Sequence, residues 1–218
     1  MSRISLINIA ASIFALLNLN NLYAQAPFFA STVGKDALFG YIAGSYTIDD
    51  ERVGNYTLWQ YGATEWLNIG TDLSVAGGAT THGYQIRATA LRSKYINVGV
   101  QTTALFDTSN RYKYATQSSG LFLNGAILER LSWVSNTWHT VSRGNHTLNQ
   151  WLYLTYNVGK FNPFLGTTFS WFDTKNTIDL AAGAYYSFGR MNLYAWCNEI
   201  LSGKPRITIG LDFLMRRQ

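Results

Sequence analysis

The 218-residue chain is 47% hydrophobic and 15% aromatic, yet only 13% of its residues are charged, against roughly 25% in an average protein. So few charges cover a soluble surface poorly, and the composition points to an apolar partner surface. A net charge of +5, spread along the chain, gives no basic stripe of the kind nucleic acid needs, and the single Cys197 excludes an intramolecular disulfide framework.

The chain begins with Arg3, the apolar run "ISLINIAASIFALL" and then "NLNNLYAQAPF". A positive start, a short apolar stretch and an Ala-x-Ala exit describe a secretory signal peptide. Residues 1–24 are read as this leader, cleaved after Ala24 or Ala26. Its removal takes the net charge from +5 to +4, because it carries Arg3 and no other charge. Residues 25–35 are read as an N-terminal periplasmic segment, and 36–216 as a β-barrel. Beyond the leader no apolar run reaches the about 20 residues that a membrane helix needs.

Period-2 alternation then recurs between turn signals. It predicts twelve strands, over 36–48, 54–63, 66–75, 80–92, 94–105, 115–129, 131–142, 147–158, 161–173, 176–189, 191–202 and 206–216; ten is the alternative count. Most reach the roughly 9–11 residues of a tilted transmembrane strand. Tight connections such as "GATE", "RSK" and "GRMN" alternate with longer or more polar ones such as "DDERVGN", "DTSNRYKYAT" and "LSGKP". Short periplasmic turns, longer outer loops and an even strand count describe a single antiparallel up-and-down transmembrane barrel, with both chain ends on the periplasmic side. Pro27, Pro163 and Pro205 lie outside strands or at their starts, where no ladder donor is lost.

Strand parity assigns the faces. Leu67, Ile69, Leu73, Ile86, Val98, Val100, Leu180, Ile207, Ile209, Leu211 and Phe213 are expected on the lipid side. Asn68, Asp72, Arg87, Asn97, Gln101, Asn124, Asn149, Asn157, Asp179 and Asp212 are expected to line the lumen. Four of these, Asp72, Arg87, Asp179 and Asp212, are the charges set well inside strands, and three acids against one Arg are expected to make the lumen mildly cation-favouring or neutral. Alternation alone equally fits a secreted soluble sandwich or small-ligand barrel with the polar face outside. Three features favour the membrane barrel. The polar face is rich in small uncharged residues (Gly70, Gly99, Gly125, Gly166, Gly183, Gly210). Aromatics gather near strand ends, where Trp59, Tyr61, Trp133, Trp171, Tyr186 and Phe188 are expected to form girdles. The strands are long and follow a leader.

The stretch "YGATEWLNIGTDLSVAGG" resembles a hairpin of the bacterial outer-membrane β-barrel proteins, in which a Tyr-Gly turn joins two amphipathic strands. The resemblance spans the architecture of the whole chain after the leader. It implies the outer membrane of a Gram-negative-type bacterium, contact with outer-membrane lipids, and insertion from the periplasm by the barrel-assembly machinery. Many such proteins end on an aromatic residue in an alternating last strand; here "RITIGLDF" alternates but "LMRRQ" follows Phe213.

Hydrolytic chemistry is tested by "WHTVSRGNH". A serine nucleophile needs a base within hydrogen-bond reach, and His139 and Ser142, three apart in a strand, face opposite sides. His82, His139 and His146 are too scattered for a recognisable metal site, and no cofactor motif occurs. The expectation is therefore no enzyme, no metal and no cofactor. The expected function is a narrow, weakly selective passive channel for small polar solutes or ions. Twelve strands give a backbone diameter of about 24 Å and a bore of about 10 Å. One alternative is a structural or surface-binding barrel with a plugged lumen, since Phe122, Trp151 and Tyr153 share the inward parity. The other is the soluble sandwich or small-ligand barrel, which the sequons at Asn55 and Asn145 favour.

Overall fold

The computed structural model describes residues 31–93, 95–172 and 175–216; the leader over 1–24 and residues 25–30 lie outside them. Among the described residues there are twelve strands: β1 Ala37–Thr47, β2 Arg52–Gly62, β3 Leu67–Ala76, β4 Ala79–Arg92, β5 Asn97–Asp107, β6 Lys113–Ala126, β7 Leu131–Ser142, β8 Asn145–Tyr156, β9 Phe161–Phe172, β10 Lys175–Phe188, β11 Met191–Asn198 and β12 Arg206–Arg216. A single 3₁₀ turn, Thr108–Asn110, lies between β5 and β6. Each strand pairs antiparallel with its sequence neighbours. β12 returns to β1, from Ala37↔Arg216 to Thr47↔Arg206, and closes the barrel. Closure gives every ladder group a partner and leaves no open edge. The rim bearing both ends of the barrel chain is called the terminal rim, and the opposite one the far rim.

The expected contrast in loop length is not found. The far-rim turns at 77–78 and 143–144 are two residues long, because strands run through most of "GGATTHG" and "SRGNHT". Gly77 and Gly78 have φ of 56° and 81°, and Arg143 and Gly144 have 49° and 84°. Two successive positive φ values make a type I′ turn, whose twist matches that of the strands. Polar residues that read as loop are therefore rim residues of strands. The longest connection is 199–205. There β11 ends at Asn198 rather than at 202, and Glu199 adopts a φ of 59°.

Alternation sorts the side chains as the pleat requires. Large apolar residues of outward parity are exposed: Ile42 48%, Ile69 49%, Leu165 60% and Ile209 59%. The buried cluster is inside the barrel, with Val33, Phe39, Tyr41, Leu58, Tyr194 and Leu214 at its centre. Gly125 departs from the expected glycine pattern: it pairs with Trp133, on the outward parity.

Candidate functional site

The lumen has two unlike halves. Toward the far rim it opens into a cavity of about 420 Å³ that touches all twelve strands. Its walls are rich in aromatics, among them Tyr41, Tyr56, Phe122, Trp138, Trp151 and Tyr194, and its charged members are Arg87 and Arg206. Phe122 and Trp138 meet edge to face at 5.0 Å. The Arg87 guanidinium lies 4.3 Å from the Phe122 ring centroid, a cation–π contact, and its Nε donates to Gln101 Oε1 at 2.7 Å. Arg206 is ion-paired to Glu199 at 2.8 Å.

Toward the terminal rim the lumen is filled on the side of β1–β4 and β12, whereas over β7–β10 Val134, Thr155, Phe164 and Tyr185 carry the cavity lining to within a few residues of that rim. Residues 31–36, most of which fall in the segment expected to be periplasmic, cross inside the barrel mouth. The backbone N–H of Thr32 donates to Thr89 Oγ1 (2.7 Å), Thr32 Oγ1 donates to the Glu65 carbonyl (2.6 Å), and the Val33 N–H donates to Asn68 Oδ1 (3.3 Å). Arg92 donates to Thr32 Oγ1 (3.0 Å) and Arg216 to the Val33 carbonyl (3.2 Å). Below this strap an amide relay crosses the wall, from Asn68 to Gln60 and from Gln60 to Gln85, each at 3.2 Å. Phe39, Gln60, Asn68, Asp212 and Leu214 are all at most 3% exposed.

Two of the residues expected to line a pore border the cavity, Arg87 and Gln101. The others share the inward parity without bordering this cavity; Asn97, Asn124, Asn149 and Asn157 are half-buried elsewhere on the inner wall. Asp212 is fully buried; it accepts from the Tyr194 hydroxyl and from Asn192 Nδ2 (3.0 Å). Asp179 accepts from the backbone N–H groups of Leu180 (2.8 Å), Leu201 (2.7 Å) and Ser202 (3.2 Å), and so anchors the 199–205 connection. Asp72 packs over Gly83, where a Cβ would meet its Oδ1 at 2.5 Å. Asn149 accepts from Ser170 at 2.6 Å. Asn97 pairs with Asn124 near the terminal rim, and Asn157 donates its N–H to the Arg130 carbonyl just beyond β8. The expected acid-lined bore of about 10 Å is thus replaced by an aromatic cavity with arginines, because the wall itself occupies the carboxylates.

The aromatic lining was largely illegible strand by strand, since β1 and β7 carry aromatics on both faces and β11 carries apolar residues on both. One signal was available: Asp179 fixes the inner set of β10, and the tight turn "GRMN" then places Tyr194 opposite Tyr185, hence inward.

No protein-family model matches the chain, and no curated protein matches its sequence. Solved structures match its fold. The KdgM porin superposes with a TM-score of 0.63 at 11% identity, covering 80% of this chain and 98% of that one. The fold is that of the porin barrels. The NanC porin matches with a TM-score of 0.63 at 10% identity, over 80% and 98% of the two chains. LpxR from Salmonella typhimurium matches at 0.53 and 10%, over 83% and 100%. A second KdgM structure is of the porin in complex with disordered oligogalacturonate.

The outer wall of this porin-fold barrel carries the remaining sequence assignments. Leu67, Ile69, Leu73, Ile86, Val98, Val100, Leu180, Ile207, Ile209 and Leu211 have outward parity and are exposed or half-buried. Phe213 has that parity but is 1% exposed. Its ring lies over Gly40, where a Cβ would come within 2.3 Å, and edge-on to Trp59 at 5.4 Å. Trp59, Tyr61, Trp133, Tyr186 and Phe188 lie outward near the terminal rim, and Trp171 stacks on Phe169 near the far rim at 5.8 Å. His139 and His146 pair at 3.1 Å on the outer wall, while Ser142 is on the inner face, its hydroxyl bonded to Thr116 at 3.3 Å.

Proposed function

We propose that the chain is an outer-membrane barrel of a Gram-negative-type bacterium, exported by its leader and inserted by the barrel-assembly machinery, that passes small polar solutes through a narrow lumen. The carrying observation is the inversion of the two faces. Exposed aliphatic residues cover a closed outer wall, as lipid contact requires, and polar and aromatic groups surround the cavity inside. Two porins among the fold matches support the same reading. The 31–36 strap is the constriction, and the aromatic cavity is the vestibule above it. The strong filling of the terminal half favours a second reading, a plugged barrel whose vestibule binds a ligand without passing it. Conductance of the refolded protein in planar bilayers separates the two. A channel gives small unitary currents; a complete lack of current from folded, inserted protein supports the plugged barrel. A protein that stays soluble without detergent overturns both.

A further inference from the structure

We infer that the outer wall over β4–β8 binds an anionic lipid, with one acyl chain in a trough of the wall and a phosphate headgroup against the far rim above it. The inference rests on the outer wall facing lipid. A barrel wall is convex, but here it holds a hollow of about 500 Å³. Ile86, Val100, Leu121 and Leu148 wall this hollow, and the small residues Thr102 and Ser119, paired across β5 and β6, form its floor. Apolar walls of this shape suit a single hydrocarbon chain.

Two further features of the trough suit a lipid with a polar upper end. Hydroxyl, amide and imidazole groups join these walls and continue toward the far rim: Thr137 and His139 also line the hollow, Gln117 donates to Thr102 Oγ1, and His139 pairs with His146. In pure hydrocarbon such groups are unfavourable, whereas the ester or hydroxyl groups beside a lipid headgroup pair with them. Directly above, the β5–β6 and β7–β8 connections carry exposed Arg111 and Arg143. The carboxylate there, Asp107, accepts from the Ser109 N–H at 2.9 Å. The β1–β2 connection on the same rim instead carries Asp49, Asp50 and Glu51. The basic sector therefore coincides with the trough, and guanidinium groups suit phosphate. A second copy fits less well, because a two-fold pairing would set hollow against hollow.

The test uses residues 25–218 refolded into phosphatidylcholine nanodiscs containing phosphatidylglycerol, released gently and weighed by native mass spectrometry. The wild type is expected to retain phosphatidylglycerol in preference to phosphatidylcholine. Arg111→Gln/Arg143→Gln should reduce that preference by about tenfold or more. Ser119→Trp, which fills the trough, should lose bound lipid of either kind while still migrating as a folded barrel; Thr102→Phe serves the same purpose if Ser119→Trp does not fold. Equal retention of the two lipids by the wild type, or full retention after the trough is filled, overturns the inference. So does a dimer mass that the trough variants abolish. Failure to insert at all would remove the lipid-facing reading as well; an inserted barrel without bound lipid removes this inference alone.

Discussion

One step along β10 separates two environments. Leu180 has outward parity, and Asp179 holds the backbone of Leu201 and Ser202 from within. A cation on the lipid face costs about 2–4 kcal/mol at mid-bilayer, so Leu180→Arg should sharply lower the yield of heat-modifiable, folded barrel on a gel. Asp179→Asn should leave barrel assembly intact. It exchanges a charged acceptor for a neutral one, a loss of about 1 kcal/mol, and should speed amide hydrogen exchange at Leu201 and Ser202. Equal loss of folding in the two variants would mean that β10 presents the opposite face. At this scale the sequence was informative about direction and silent about partners. A charge inside an apolar strand had to face away from lipid, so the inward parity of Asp72, Arg87, Asp179 and Asp212 could be read. That Asp212 is held by Tyr194 and Asn192, and Asp179 by a connection some twenty residues on in the sequence, depends on register between strands, which a single strand's pattern does not contain.

Elements were the most legible scale. Alternation over 10–15 residues leaves few ways to be a helix, and glycines at 77, 78 and 144 mark where the chain reverses. What misled was polarity: "GGATTHG" and "SRGNHT" look like loops because rim residues of a barrel are wet, although their backbone is mostly strand. The 31–36 strap could not be foreseen, since it has neither periodicity nor charge pattern; its place is set by what it meets. Gly62 is the point of contact. A Cβ there would lie 1.7 Å from the Gly34 carbonyl oxygen and 2.6 Å from its carbon, backbone atoms that cannot rotate aside. Gly62→Ala should therefore expel the strap while leaving the β2–β3 ladder in place. The expected result is a several-fold larger unitary conductance, with loss of hydrogen-exchange protection at the Thr32 and Val33 amides. Unchanged conductance with those amides unprotected would show that the strap is not the constriction, and attention would move to the Gln60–Asn68–Gln85 relay.

For the whole molecule the question is which charges a passing ion meets. A count of inward-parity side chains gives three acids, Asp72, Asp179 and Asp212, and predicts a cation-favouring lumen. The geometry weights them differently. Asp179 and Asp212 are hydrogen-bonded into the wall, Asp72 packs over Gly83, and none of the three borders the cavity. Arg87 and Arg206 do border it, with Arg206 partly neutralised by Glu199. Field strength in a pore falls with distance and with intervening hydrogen-bond donors, so charges that border the cavity, Arg206 and the 4%-exposed Arg87, outweigh those set behind the wall. We therefore expect weak anion preference at low salt, fading as ionic strength rises toward 1 M, where the screening length is about 3 Å. Arg87→Gln keeps a hydrogen-bonding partner for Gln101 and removes the charge, and it should move the reversal potential toward cations under a salt gradient. Asp72→Asn/Asp179→Asn/Asp212→Asn should move it little. The opposite ranking, a large shift from the triple variant and none from Arg87→Gln, would mean that ions pass close to the buried carboxylates, along a route through the terminal half rather than over the arginine-bearing wall of the vestibule.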